Sequence, residues 1–221
     1  MSVTDTLNSL LQKLLPAINL ALPTIIKTEG LDPLATVVSG SDTLGKINLG
    51  ICKASAKASY SITNMTGLSG MVVNSLTLLT VASSDNLSNV TGTLSYAVSD
   101  GTTLSAKVSG KIKAGCGGIS DSESISGTVS AKGVTGTGTA TFAADLTGTG
   151  CLTKVVLDDL SLNYSDVDVH IDGLGVFNEF LAPLVDAIDD LFGKYIKNSL
   201  SGVVEKALDD LLDDEMPFCL S

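Results

Sequence analysis

From Gly173 to Asp214 an apolar stripe runs along the chain without a break. Phe177, Leu181, Leu184, Ile188, Leu191, Tyr195, Val203, Leu208 and Leu211 recur mostly at steps of three and four, the spacing that stacks side chains on one face of an α-helix. A helix over the whole stretch would reach about 60 Å at ~1.5 Å per residue, against an ordinary helix of about 11–12 residues. Only an elongated body accommodates such a rod. Phe180, Val185, Phe192, Ile196, Leu200 and Leu212 widen the stripe beyond a coiled-coil seam, so the helix is expected to lie on a broad apolar surface supplied by the rest of the chain.

A second amphipathic helix is expected over residues 1–28. Val3, Leu7, Leu10, Leu11, Leu14, Leu15, Ile18, Leu22, Ile25 and Ile26 carry its apolar face, with Thr4 or Asp5 as N-cap. Pro16 and Pro23 should kink or divide it. Glu29-Gly30-Leu31-Asp32-Pro33-Leu34 reads as a linker. From Gly45 to about residue 170 the period changes to two, as in Lys107-Val108-Ser109-Gly110-Lys111-Ile112-Lys113, which marks strands with one buried face. Ser99-Asp100-Gly101-Thr102 and Thr147-Gly148-Thr149-Gly150 read as hairpin turns of an antiparallel meander. Residues 173–215 form the long C-terminal helix. The order helix, strands, helix defines an α+β fold in one elongated domain over 1–221, with two helices side by side along a strongly curved antiparallel sheet. An apolar tube between them is the expected outcome.

Composition narrows the function classes. Hydrophobic residues make up 44% of the chain and aromatics only 4%, so Leu, Ile, Val and Ala must fill the interior. Such an interior suits a flexible aliphatic guest as well as a plain core. The net charge is −11 and Arg is absent, which removes the side chain best shaped to grip phosphate and argues against nucleic acid. Most of the acid lies on or just before the long helix, as a solvated face. Pro16 and Pro23 interrupt the best candidate for a membrane span, and no basic apolar helix is present, so stable membrane insertion is not expected.

The four cysteines, Cys52, Cys116, Cys151 and Cys219, contain no C-x-x-C pair, and with His170 as the lone histidine no usual zinc set can be completed. Two disulfides are the economical alternative, with Cys116–Cys151 and Cys52–Cys219 preferred among the three possible pairings. Sequons at Asn64, Asn86, Asn89 and Asn163 are glycosylation candidates and fit an oxidising, extracellular setting. The opening Met1-Ser2-Val3-Thr4-Asp5 lacks the basic n-region of a signal peptide. A secreted protein would therefore have lost its leader already.

His170-Ile171-Asp172-Gly173-Leu174-Gly175-Val176-Phe177, leading into Leu184-Val185-Asp186-Ala187-Ile188, resembles the closing strand and C-terminal helix of the mite group 7 allergens. Glu29-Gly30-Leu31-Asp32-Pro33-Leu34, Ile47-Asn48-Leu49-Gly50-Ile51 and Ile62-Thr63-Asn64-Met65-Thr66-Gly67-Leu68 resemble the early linker and first two strands of the same group. Those allergens stand with takeout and juvenile-hormone-binding proteins in the tubular lipid-binding (TULIP) superfamily, alongside bactericidal/permeability-increasing protein. The resemblance implies a highly curved sheet wrapped around a long helix, enclosing a pocket for a lipid or another extended apolar molecule. The Gly/Ser/Thr-rich middle and the Cys116/Cys151 pair depart from the allergens.

Catalysis finds little support. With a single histidine and no G-x-S-x-G elbow, a serine hydrolase lacks its parts. Asp158, Asp159, Asp166 and Asp168 could face a cleft in a glycosidase, but strand alternation equally sends them to solvent. Neither Gly115-Cys116-Gly117-Gly118 nor Gly136-Thr137-Gly138 has the context of a phosphate loop. The expectation is a non-enzymatic, secreted carrier of a hydrophobic small molecule (lipid, terpenoid, carotenoid or other pigment), without metal or cofactor. Its pocket is expected to be lined by Leu11, Leu14 and Ile18 from the first helix and by Phe177, Phe180, Leu184, Ile188 and Phe192 from the second. Two alternatives are a structural or adhesive extracellular protein and a protein that binds lipid at a membrane surface. The oligomeric state is left open.

Overall fold

The computed structural model describes residues 2–48, 52–82, 87–116 and 119–220, apart from the side chains of Ile47, Cys116 and Ile119. The chain opens with helix α1, Val3–Thr28. Its N-cap is Ser2, in place of Thr4 or Asp5: the Ser2 hydroxyl accepts from the Asp5 N–H at 3.1 Å, and the Ser2 N–H donates to the Asp5 carboxylate at 3.0 Å, a reciprocal capping box. The helix runs through both prolines as one element. Pro16 is exposed and Pro23 half-buried, so carbonyls freed by the missing N–H groups lie away from the buried face. Meanwhile Leu14, Ile18, Leu22 and Ile26 hold the rod to the core.

Among the described residues ten strands follow the pattern read from the sequence, but the first begins earlier, at Leu34 instead of Gly45. They are β1 (Leu34–Asn48), β2 (Lys53–Thr66), β3 (Met71–Ala82), β4 (Val90–Asp100), β5 (Leu104–Cys116), β6 (Ile119–Lys132), β7 (Thr135–Asp145), β8 (Cys151–Asn163), β9 (Asp166–Asp172) and β10 (Phe218–Cys219). They form two five-stranded antiparallel sheets, ordered β1-β2-β5-β6-β9 and β10-β8-β7-β4-β3, here called the proximal and distal sheets. This corrects the simple meander, because successive hairpins alternate between the sheets. Thr147–Gly150 is a hairpin turn between β7 and β8 as expected. Ser99–Thr102 is instead a crossing from one sheet to the other, since β4 and β5 belong to different sheets.

The crossings lie together at a waist held by backbone hydrogen bonds. The Asp100 N–H donates to Val134 O at 2.8 Å, Gly101 N–H to Gly70 O at 3.1 Å, and Ser165 N–H to Lys132 O at 3.0 Å. The Asp32 carboxylate accepts from the Ser69 N–H at 2.7 Å and the Gly67 N–H at 3.3 Å. Gly67 sits at φ 106°, where a side chain would be strained. A Cβ there would also press to 2.6 Å from Thr103 O.

The long C-terminal rod begins with a 3₁₀ turn, Gly175–Phe180, and then runs unbroken from Leu181 to Glu215 as α2 (Leu181–Tyr195), a π-helical turn (Ile196–Leu200) and α3 (Ser201–Glu215). Phe177, Phe180, Leu184, Ile188, Phe192, Ile196, Leu200, Leu208, Leu211 and Leu212 are buried along it, whereas Leu181 of the expected stripe is exposed. The fold is thus a curled antiparallel sheet closed over a long C-terminal helix, with the N-terminal helix beside it.

Candidate functional site

The rod divides its packing at the π turn. α2 lies on β1, β6 and β9 of the proximal sheet, whereas α3 packs on β8 of the distal sheet and against α1. Gly193, at the junction, allows the Tyr164 ring to approach: a Cβ there would come within 2.0 Å of the Tyr164 hydroxyl. Lys197 caps the same ring from 5.1 Å. A π turn adds a residue to the helical repeat, and here it accompanies the switch of the apolar face from one sheet to the other.

Under the proximal sheet the apolar side chains of the rod are buried. The inner face of β2 offers small buried side chains, Ala54, Ala56 and Ala58. Phe177 and Phe180 pack as a tilted pair with centroids 6.4 Å apart. Phe180 also reaches Gly45, where an added Cβ would sit 3.0 Å from its ring. Phe177, Leu184, Ile188 and Phe192 are wholly buried and Phe180 nearly so.

Under the distal sheet three surfaces meet with less perfect fit. Leu14 and Ile18 of α1, Val73 and Leu76 of β3, Leu94 and Tyr96 of β4, Val155 and Leu157 of β8, and Leu208 and Leu212 of α3 surround a cavity of about 20 Å³. That is room for little more than one water, and no polar atom faces it. A second gap, too narrow for water, lies further along α1 between Leu7, Leu11, Leu78, Phe142 and Leu152. Leu7 to Ile18 spans about 16 Å of helix.

The polar groups around this seam are committed elsewhere. The Tyr96 hydroxyl donates to the Asp159 carbonyl at 2.6 Å. Burial, with the nearby charges of Glu205, Asp159, Asp209 and Asp158, holds that phenol well above the ordinary range for tyrosine. The Asp159 carboxylate accepts from the Thr139 N–H and hydroxyl at 2.8 and 2.7 Å, which lowers its pKa. Asp209 of α3 accepts the Leu157 N–H at 3.0 Å, tying helix to strand where β8 bulges against β7. Asn19 fastens α1 to the free edge of the distal sheet: its amide donates to Val73 O and its carbonyl accepts the Val73 N–H, both at 2.8 Å.

The eight residues expected to line a pocket are therefore divided. Leu14 and Ile18 border the cavity, Leu11 borders the narrower gap, and Phe177, Phe180, Leu184, Ile188 and Phe192 are buried among the residues of the rod that serve the proximal sheet. Among the described residues the open tube expected between two helices side by side is not seen; the apolar space at α1 and α3 is closed to a seam. The inward residues of β3, β4 and β8, with Leu208 and Leu212, escaped the sequence reading as lining. Their alternation gave a buried face but did not say which sheet, or which part of the rod, that face would meet.

The cysteine pairing is also corrected. Cys151 bonds to Cys219, because β10 brings Cys219 opposite Cys151 on β8. The preferred Cys116–Cys151 and Cys52–Cys219 pairs are thereby excluded. Cys52 is disulfide-bonded as well, and the side chain of Cys116 lies outside the described residues. Of the sequons, Asn64, Asn89 and Asn163 are exposed, and Asn86 lies outside the described residues. His170 is exposed on β9, 3.5 Å from Asp172. Among the described residues no cluster of three or more metal-ligating side chains is present.

The fold is thus a curled sheet closed over a long helix, with an all-apolar seam beside a second helix. No family profile and no curated protein matches the chain. Several solved structures are similar to it. Lipopolysaccharide binding protein is 22% identical over 90% of this chain and 39% of its own, with a TM-score of 0.40; the chain thus spans about two fifths of that protein's length. Takeout 1 of Epiphyas postvittana is 11% identical over 93% of this chain and 89% of its own, with a TM-score of 0.35.

Proposed function

We propose that the protein binds and carries a hydrophobic small molecule in the seam between α1, α3 and the distal sheet. The observation that carries this reading is the wholly apolar wall of that seam, at the one junction described here where two helices meet a sheet with space left over. As it stands the cavity admits no lipid, so a guest must spread the seam. In this reading α3 is the wall that moves, and the Asp209 bond to β8 opposes that movement. Burying about 400 Å² of apolar ligand surface at ~25 cal/mol per Å² supplies about 10 kcal/mol, from which association and opening costs are subtracted. Micromolar binding remains within reach. Extracellular location is supported by the Cys151–Cys219 disulfide.

Filling the seam provides the test. Leu208→Trp should abolish displacement of a fluorescent apolar probe such as N-phenyl-1-naphthylamine by added lipid while the protein stays folded. Leu184→Trp, under the proximal sheet, should lower the melting temperature through overpacking and leave probe binding in the surviving folded fraction. Equal loss of binding in both would speak against a distal site.

A self-associating structural protein is the second reading, favoured by one feature. Edge strand β3 carries no charged residue from Met71 to Ala82, and Leu79 on it is 53% exposed. Uncharged edges invite strand pairing; β9, an edge of the proximal sheet, is by contrast blunted by Asp166, Asp168 and Asp172. Sedimentation velocity separates the readings: a monomer with extractable ligand supports the carrier, and ligand-free oligomers abolished by Thr77→Pro support assembly.

A further inference from the structure

Resting on the carrier reading, we infer that the guest is a hydrocarbon-like molecule with no polar group placed inside the protein, an unfunctionalised alkane, alkene or isoprenoid rather than a fatty acid or alcohol held by its head. A pocket that selects an amphiphile by its head offers that head a hydrogen-bonding partner, because an unpaired hydroxyl or carboxyl taken out of water is penalised heavily. This seam offers none. No polar atom faces the cavity, and the second gap is bounded by Leu7, Leu11, Leu78, Phe142 and Leu152 alone. The single polar side chain in the wall, Tyr96, has its hydroxyl donated to the Asp159 carbonyl.

Two of the carboxylates near the seam are committed: Asp209 is taken by the Leu157 N–H and Asp159 by Thr139. A polar guest that reached for either would have to break one of these bonds. The shape agrees with the chemistry, since the two gaps lie in line along α1 from Leu7 to Ile18. They would take an extended chain of about 16 Å more readily than a compact ring system.

The test uses matched skeletons. The full-length protein is equilibrated with farnesene and farnesol, and separately with tetradecane and tetradecanoic acid, each pair at equal free aqueous concentration. Retained ligand is then extracted after gel filtration and quantified by gas chromatography and mass spectrometry. The hydrocarbon of each pair should be retained at least about tenfold over its polar partner, the ratio expected when one buried polar group goes unpaired. Retention of farnesol or tetradecanoic acid equal to or above the hydrocarbon overturns the inference and leaves the carrier reading standing. Retention of neither member overturns both.

Leu76, half-buried at the rim of the cavity, supplies an independent check. Leu76→Asn places an amide at the wall and should raise the farnesol-to-farnesene ratio several-fold. An unchanged ratio in a folded variant that still binds shows that the wall does not select, and overturns the inference.

Discussion

The two halves of the molecule are built from the same parts and finish differently. In both, a segment of one continuous helix lies under a five-stranded antiparallel sheet. Beneath the proximal sheet the 3₁₀ turn and one helix, α2, bury three phenylalanines, Phe177, Phe180 and Phe192. Beneath the distal sheet two helices, α1 and α3, share the face with branched aliphatic side chains, and the fit leaves a cavity. Two rods on one twisted surface cannot both follow its curvature, whereas a single rod can be matched by adjusting side-chain size. A solid half anchors the fold, and an imperfect half is where a guest can enter.

The largest effect expected from breaking this contrast is on the solid side. Phe192→Ala removes a ring with no solvent exposure and should cost about 3–5 kcal/mol, measured by urea denaturation, with apolar-ligand binding unchanged. Leu208→Ala enlarges the distal cavity instead. It should cost about 2–3 kcal/mol, at the low end for such a truncation, and should increase ligand uptake at saturation. Equal uptake in the two variants would erase the distinction between the halves.

A smaller change tests the tether. Asp209→Ala leaves the Leu157 N–H without its acceptor and should cost about 1–2 kcal/mol. Because it frees α3 from β8, it should also raise the ligand on-rate in stopped-flow fluorescence. The smallest expected effect lies at the waist between the halves. Asp100 is buried, one of its carboxylate oxygens has no partner, and burial, with Asp32 nearby, holds its pKa above the ordinary carboxylate value. The folded state therefore binds this proton more tightly than the unfolded chain, and stability is lost as pH rises through the raised value. Asp100→Asn should add about 1 kcal/mol at pH 7 and nothing near about pH 3, as read by thermal melts at both.

The sequence made some of this legible and hid the rest for identifiable reasons. The stripe from Phe177 to Leu212 announced the rod because helical periodicity is a local property, and the alternation from β2 to β8 announced strands on the same ground. Pro16 and Pro23 misled, since their local cost is outweighed by the burial of Leu14, Ile18, Leu22 and Ile26, which no local rule can see. Ser99–Thr102 carries the residues of a hairpin turn yet serves as a crossing, and whether the next strand returns or crosses over is decided by pairing with β2 far away in the chain. The site suffered most from this. Leu14 and Ile18, read from helical spacing, border the cavity, but the strand residues facing them and the division of the rod between two sheets depend on those crossings. The Cys151–Cys219 bond likewise needed the tail to pair with β8 before its partner could be known.

Methyl-resolved NMR during titration with farnesene tests the central claim most directly. The account predicts shifts at Leu14, Ile18, Leu94, Leu208 and Leu212, with Leu184 and Ile188 unmoved. Perturbations confined to Leu184, Ile188 and their neighbours under the proximal sheet would place the guest in the solid half and contradict it.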